Sequence, residues 1–120
     1  MKINNFNLSD NNRVFIIAEL SANHNGSLKT AIETIKAAKR AGADCIKLQT
    51  YTADTITIDS DKSDFIINDT IWAGRKLYEL YQEAYTPWEW HEALFKVAEN
   101  EGLICFSSPF DKSAVDFLEK

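Results

Sequence analysis

Three apolar runs of β-favouring residues, each followed by a helical pattern, constrain the fold of this chain more than any other feature. The runs cover residues 14–18, 43–50 and 103–108. Continuous rather than alternating apolar runs are typical of strands covered on both faces, as in parallel sheets. Helical patterns begin after residue types favoured as N-caps, namely Ser27, Thr86 and Asp111. The element order β-α-β-insertion-α-β-α therefore predicts an α/β fold with parallel strands and right-handed crossovers.

A short internal repeat marks the start of the second and third strands. Gly42 precedes Cys45 at the same interval at which Gly102 precedes Cys105. Glycine at such positions is typical of a helix C-terminus, where the backbone turns left-handed. Alternating βα units of this size occur in small open sheets and in (β/α)8 barrels, and both architectures remain open at this point. A whole barrel needs about 250 residues, so on the barrel interpretation these units form only part of one.

Residues 53–85 interrupt the βα rhythm between the second strand and the helix that follows Thr86. Within this insertion, the pattern predicts a short extra strand at 55–58 and a helix at 72–84. The aromatic residues of this region are interpreted as packing of the insertion. Long insertions into compact domains are usually functional. We therefore expect residues 53–85 to form a lid.

Composition excludes several function classes. The hydrophobic fraction of 45% and the charged fraction of 26% are ordinary for a globular domain. The net charge is −5 and the basic residues are scattered, which argues against a nucleic acid partner. The apolar run at 14–18 is too short to cross a membrane, and residues 1–10 have no apolar secretion-signal core. We expect a cytoplasmic protein in which Cys45 and Cys105 are reduced core thiols.

Polar side chains end each predicted strand. The carboxyl ends of parallel strands meet at one edge, where α/β proteins form their sites. With strict alternation along each strand, one face carries Glu19, Lys47, Gln49 and Ser107. A lysine between apolar neighbours is costly to bury unless it is paired or used. The alternatives are a solvated Glu19 and a structural ion pair between Lys47 and Glu19.

The loop after the first strand contains Asn23 and His24, and the turn signal Asn25-Gly26 follows. His24 is a candidate ligand-binding residue, although a loop histidine is often merely exposed. His91, which follows Trp90 in a helical pattern, is interpreted as structural. The spacing of the acidic and cysteine residues fits neither a calcium loop nor a zinc site.

Three segments resemble the sialic acid synthase family, in the same order along the chain. They are FIIAELSANHNG at 15–26, AGADCIKLQTY at 41–51 and GLICFSSPF at 102–110. The resemblance extends over residues 13–120. Within the family, ELSANH, SDKSDFII at 60–67 and CFSSPF resemble the branch whose sugar is a 2,4-diacetamido-2,4,6-trideoxy hexose.

The resemblance implies a (β/α)8 barrel followed by a small antifreeze-like domain. It implies an enzyme that condenses phosphoenolpyruvate with an acetamido sugar to give a nine-carbon nonulosonic acid and phosphate. A divalent metal, manganese in the expected case, would hold the sugar aldehyde with ligands beyond residue 120. On this basis the chain is the N-terminal part of the barrel. We expect a homo-oligomer, and no synthase activity from the 120 residues alone.

Roles for individual residues follow from the same resemblance. Glu19 would be catalytic, serving carbon 2 of phosphoenolpyruvate and its attacking water, or would instead orient sugar hydroxyls. The substrate-binding residues would be Lys47 and Gln49 at the anion, Asn23 and His24 at the sugar, and Ser107 and Ser108 at the mouth of the site.

Three alternatives to this assignment remain open. The first is an N-acetylneuraminic acid synthase of the same family. The second is an aldolase on the same scaffold, with Lys47 forming a Schiff base. The third is a non-catalytic α/β module that binds small anions at its strand ends and associates with itself.

Overall fold

A three-stranded parallel sheet forms the centre of the computed structural model, which describes residues 1–4, 6–9 and 13–120. A short antiparallel hairpin, β1 (Lys2–Ile3) and β2 (Phe6–Asn7), precedes this sheet. The sheet consists of β3 (Ile17–Ser21), β4 (Cys45–Thr50) and β5 (Ile104–Pro109), in that spatial order. All neighbouring strands of the sheet are parallel, which confirms the predicted fold class.

Helices connect the parallel strands. They are α1 (Leu28–Arg40), α2 (Ala53–Ile56), α3 (Leu77–Ala84), α4 (His91–Asn100) and α5 (Lys112–Leu118). Two 3₁₀ turns, Ser63–Phe65 and Trp88–Trp90, lie in the insertion and just before α4. The helix α1 joins β3 to β4, α4 leads into β5, and α5 follows it. Three consecutive βα units are therefore present, with α2 and α3 inserted after β4.

Local sequence signals explain three of the helix ends. The Ser27 hydroxyl accepts a hydrogen bond from the Thr30 amide at 3.3 Å, and Asp111 caps α5 through the amides of Ser113 and Ala114. The left-handed backbone of Gly42, with φ of 92°, ends α1. These caps confirm the predictions for α1 and α5. The predicted N-cap Thr86 is wrong, because its hydroxyl faces the core and the 3₁₀ turn at Trp88–Trp90 precedes α4.

The hydrophobic core lies between one face of the sheet and the helices α1 and α4. Its fully buried members include Leu20, Ala31, Ile35, Ile46, Leu48, Leu94 and Ala98. The opposite face of the sheet is open, and it exposes 43% of Ile17 and 39% of Phe106. Apolar side chains on that face fit a sheet that curves into a barrel interior.

Three predicted elements differ from the structure. The first strand begins at Ile17 rather than at residue 14, because its register with β4 starts where Ile17 lies opposite Cys45. The strand predicted at 55–58 is wrong, since residues 53–56 form α2 and the Thr55 hydroxyl accepts from the Thr52 amide. The predicted helix at 72–84 begins only at Leu77, because the preceding backbone pairs Lys76 with Ile66.

Candidate active site

The register of the sheet decides which polar side chains share a face. Glu19 lies opposite Lys47, and Lys47 lies opposite Phe106. Two residues further along, Gln49 lies opposite Ser108. Side chains in register on parallel strands point to the same side of the sheet. The open face therefore carries Glu19, Lys47, Gln49 and Ser108 toward the carboxyl ends of the strands.

Ser107 lies on the other face, which corrects the predicted alternation of the third strand by one residue. Its hydroxyl is 2.6 Å from the hydroxyl of Thr50, which is 2.7 Å from Nε2 of His91. Thr50 and His91 are both buried on the helix side of the sheet. Leu103 and Cys105, which were expected beside Lys47, also pack against the helix-side core. The sequence predicted that Leu103, Cys105 and Ser107 share the face of Lys47. In the structure Ile104 lies opposite Cys45, so the alternate residues of β5 occupy that face instead.

Lys47 and Glu19 form an ion pair on the open face, between Nζ and Oε1. The side chain of Lys47 is 25% exposed and that of Glu19 is 55% exposed. The pair offsets the cost of a partly buried ammonium group, while the exposed face leaves Nζ within reach of a second anion. The interpretation of Lys47 as an ion-pair residue is therefore compatible with its use as an anion ligand.

The backbone has an unusual conformation at the junction between β3 and the loop that follows it. A register shift occurs between Glu19 and Ser21, and Ser21 has a φ of 52°. Such a left-handed conformation is uncommon for a residue with a Cβ and is often found at functional sites. The backbone N–H and the side-chain Nδ2 of Asn23 both donate to the Leu20 carbonyl, at 3.0 and 3.2 Å. This turn brings residues 21–26 over the carboxyl end of the sheet.

His24 lies behind this loop and is completely buried. Its Nδ1 accepts from the Gly26 amide at 3.2 Å, so Nε2 carries the proton and donates to the Thr86 hydroxyl at 3.2 Å. Burial lowers the pKa of His24 below its usual value, which favours the neutral ring. The structure thus gives His24 a place in the support of the loop, and a direct contact of His24 with substrate stays a prediction.

A cleft of about 690 Å³ opens between the loop and the insertion. Its lining comprises Ser21, Ala22, Asn23, Asn25, Gly26, Gln49, Tyr51, Trp72, Leu80, Tyr81, Glu83 and Ala84. Two of the predicted site residues, Asn23 and Gln49, line this cleft directly. Glu19 and Lys47 lie on the same sheet face as Gln49. Lys47 precedes Gln49 by two residues on β4, so this pair is farther from the carboxyl edge of the sheet.

Ion pairs and hydrogen bonds hold the insertion in place. Lys76 bridges Asp59 and Asp61 at 3.1 and 2.7 Å, and these carboxylates raise its pKa. The Tyr78 hydroxyl donates to Asp54 at 2.7 Å, which ties α3 to α2. The insertion therefore forms an ordered wall of the cleft. Its closing as a lid stays a prediction.

Sequence reasoning missed several residues of the site. Trp72 and Tyr81 were interpreted as packing of the insertion, and the family resemblance suggested only in general that hydrophobic parts of residues 53–85 shape a sugar pocket. No individual residue, Leu80 included, was assigned to the cleft, because nothing in the spacing distinguishes a cleft wall from a core stripe. Thr86 was interpreted as a cap, since Thr-Pro commonly starts a helix. Its contact with His24 depends on tertiary structure, which local patterns do not reveal.

The donor set for a divalent metal is not found in the part of the chain that the structure describes. No group of three His, Cys, Asp or Glu side chains gathers there in a metal-binding arrangement. These residues therefore do not fit a metal site by themselves, and manganese stays a prediction. Among the same residues, no helix is long and apolar enough to cross a membrane.

The fold and the site first define a class: βα units of a (β/α)8 barrel, with polar groups gathered at the carboxyl ends of the strands. Within that class, the chain belongs to the NeuB family, whose model matches residues 34–120. This match confirms the family resemblance.

Two curated relatives and one solved structure illustrate the family match. The chain is 61% identical to pseudaminic acid synthase of Campylobacter jejuni over all 120 residues, which cover 34% of that protein. It is 52% identical to pseudaminic acid synthase of Helicobacter pylori over 104 residues, or 87% of this chain and 31% of that protein. The chain therefore spans about a third of the length of these relatives.

The solved structure is N-acetylneuraminic acid synthetase of Leptospira borgpetersenii in complex with citrate. It matches with a TM-score of 0.77 at 25% identity, covering 99% of this chain and 37% of that one. The described strands and helices thus correspond to the N-terminal part of that fold.

Proposed function

We propose that this chain is the N-terminal part of a pseudaminic acid synthase. The enzyme condenses phosphoenolpyruvate with a 2,4-diacetamido-2,4,6-trideoxy hexose and water, and releases a nine-carbon nonulosonic acid and phosphate. The observation that carries this proposal is the 61% identity to a pseudaminic acid synthase over the whole chain. The polar groups at the carboxyl ends of β3, β4 and β5 support it, because barrel enzymes carry their chemistry at that edge.

The ammonium group of Lys47 is the proposed ligand of phosphoenolpyruvate. This substrate carries a phosphate and a carboxylate, so a cation on the open face attracts it and compensates its charge. Gln49 lies on the same face as Lys47 and lines the cleft. Its amide donates to the same anion or to the sugar beside it. Ser108, the register partner of Gln49, adds a hydroxyl at the same edge.

Glu19 is the proposed catalytic carboxylate. Carbon 3 of phosphoenolpyruvate attacks the sugar aldehyde, and positive charge develops at carbon 2, where water adds before the bond to phosphate breaks. A carboxylate beside carbon 2 stabilises that charge and accepts a proton from the water. The ion pair with Lys47 supports this role, because it holds the carboxylate next to the group that binds the anion.

The cleft between the loop and the insertion is the proposed site of the sugar. Its volume of about 690 Å³ falls in the range of small-molecule pockets, about 300–1,000 Å³. Asn23 offers an amide to the sugar hydroxyls. His24 supports the loop that carries Asn23 and so acts on sugar binding by positioning Asn23. The insertion is proposed to cover the sugar as a lid.

Further properties of the enzyme belong to the same proposal. A divalent metal, manganese in our proposal, would be held by residues beyond Lys120 and would supply Lewis-acid activation of the sugar aldehyde. The protein acts in the cytoplasm, as expected for an enzyme that consumes phosphoenolpyruvate. It forms a homo-oligomer.

The decisive experiment is a coupled assay on the full-length protein. Phosphate release and product mass are measured with phosphoenolpyruvate and either the diacetamido trideoxy hexose or N-acetylmannosamine, with and without chelator. The proposal predicts a nine-carbon diacetamido acid as the favoured product. A preference for N-acetylmannosamine would instead identify an N-acetylneuraminic acid synthase. Borohydride trapping of a substrate on Lys47 would identify an aldolase.

A further inference from the structure

The cleft has two walls of different chemistry. One wall is the loop after β3 together with Gln49, and it presents amide and hydroxyl groups. The other wall belongs to the insertion and includes Trp72, Leu80, Tyr81 and Ala84, together with Glu83, whose carboxylate is paired with Arg75. A molecule in the cleft therefore meets hydrogen-bonding groups on one side and a mainly apolar wall on the other.

We propose that Trp72 and Leu80 determine which sugar is accepted, because they receive the methyl groups of a diacetamido 6-deoxy hexose. This inference rests on the proposed function and extends it to the choice of substrate. Such a sugar has methyl groups at carbon 6 and on both acetamido groups. An N-acetylhexosamine with hydroxyls at carbons 4 and 6, such as N-acetylmannosamine, brings two polar groups to the same positions.

The discrimination follows from desolvation. Transfer of a methyl group from water to an apolar wall is favourable. A hydroxyl placed against Trp72 or Leu80 loses its hydrogen bonds to water and finds no partner on the indole face or on the leucine, while the carboxylate of Glu83 is already paired with Arg75. Because a single methyl-sized difference in an apolar pocket is worth roughly 10–200-fold in specificity, contacts at two such positions give a clear preference.

The geometry of the insertion fixes the wall before any ligand binds. The Arg75 guanidinium lies 5.6 Å from the centre of the Trp72 ring, and Arg75 is held by Glu83 at 2.6 Å. Trp72 itself remains 41% exposed at the edge of the cleft. Leu80 and Ala84 are one helical turn apart on α3 and so face the cleft together. A large, oriented and partly exposed ring is typical of a surface that a ligand covers.

The test compares Trp72→Ala, Trp72→Phe and Leu80→Ala in the full-length protein with Ile71→Ala as the matched control. Ile71 is the neighbour of Trp72 in the same turn, is 92% exposed and lies outside the cleft lining. The measured quantity is the ratio of kcat/KM for the diacetamido trideoxy hexose to kcat/KM for N-acetylmannosamine. The ratio of dissociation constants for the two sugars as their unreactive alditols is measured as well.

We expect Trp72→Ala to lower both ratios by about tenfold or more. Leu80→Ala lowers them less, Trp72→Phe retains most of the preference, and Ile71→Ala leaves both unchanged. An equal loss for both sugars, at an unchanged thermal midpoint, would overturn the inference. Failure of the proposed function has a different signature, because wild-type protein would then form no nonulosonic acid while the alditol ratio still reports on the wall.

Discussion

The imidazole of His24 and the hydroxyl of Thr86 form a hydrogen bond of 3.2 Å across 62 residues of sequence. Both side chains are completely buried. The same hydroxyl lies 3.4 Å from the carbonyl oxygen of Ser21, to which it donates. Thr86, the residue that follows the insertion, is therefore joined to the start of the loop at Ser21 and to its middle at His24. The two walls of the cleft are connected through the interior of the protein.

Replacement of Thr86 by valine removes this connection and preserves the shape of the side chain. The buried Nε2 of His24 then has a proton and no acceptor, which costs about 1–3 kcal/mol in the free energy of unfolding. We expect a lower denaturation midpoint and a higher KM for the sugar. Thr30→Val on the exposed side of α1 is the control, for which the change stays within about 0.5 kcal/mol. Equal midpoints for the two variants would contradict the prediction.

The free energy of unfolding is expected to fall as the pH drops below about 6.5. Burial lowers the pKa of His24 and of His91 from the usual 6.5, and for His91 this effect exceeds the opposing one of the backbone groups of Pro87 and Trp88. The unfolded chain therefore takes up protons first, and each histidine costs up to about 1.4 kcal/mol per pH unit in this window.

Urea unfolding of the full-length protein at about pH 7.5 and about pH 5.5 measures this dependence. His24→Gln, which cannot titrate, reduces the difference in unfolding free energy between the two conditions. The carboxyl groups of Asp44 and Asp111 have pKa values lowered from 3.8, so their contribution is lost only at more acidic pH. A pH dependence as steep in His24→Gln as in the wild type would show that His24 is not responsible.

Lys47→Met is expected to weaken the binding of phosphoenolpyruvate and to leave the fold intact. Loss of a charged hydrogen bond to the ligand costs on the order of 2 kcal/mol, or about 30-fold in Kd. The fold is retained because Glu19 is 55% exposed and water can solvate it. Titration calorimetry with phosphoenolpyruvate measures Kd. Lys96→Met, which removes an exposed ion pair with Glu99, is the control, and an unchanged Kd in Lys47→Met would exclude Lys47 as the anion ligand.

The 120-residue chain by itself is expected to associate and to release no phosphate from phosphoenolpyruvate. Ile17 and Phe106 lie exposed on the open sheet face, where they favour contact with another apolar surface. Sedimentation velocity measures the association, and Ile17→Thr together with Phe106→Thr reduces it. Ile58→Thr, at a more exposed position of the insertion, does not reduce the association. A monomeric chain, or measurable phosphate release, would refute this prediction.

Much of the fold was predictable because its signals are local. The Ser27 cap, the left-handed Gly42 and the Asp111 cap each depend on a few adjacent residues, and the structure confirms them. The apolar runs likewise indicated parallel strands. Errors arose where two local signals compete, as well as where a distant contact overrides a local one. Thr55 favours a strand by residue type, yet its hydroxyl accepts from the Thr52 amide within α2.

The candidate site was only partly predictable, because sheet register is set by pairing between strands and not by the pattern within one. A shift of one residue moves every side chain to the other face. For this reason Ser108 joins Gln49 on the open face, whereas Ser107 contacts Thr50 on the helix side.

Residue type and spacing were enough to predict the class of fold, the order of the βα units, the family, and Glu19 and Lys47 as candidate site residues. The chain carries these signals without folding. Tertiary packing was needed to pair Glu19 with Lys47, to bury His24 against Thr86, and to form one wall of a cleft from Trp72 and Leu80. Those relationships join residues far apart in sequence, and they arise because packing of the insertion against the carboxyl edge of the sheet brings them together.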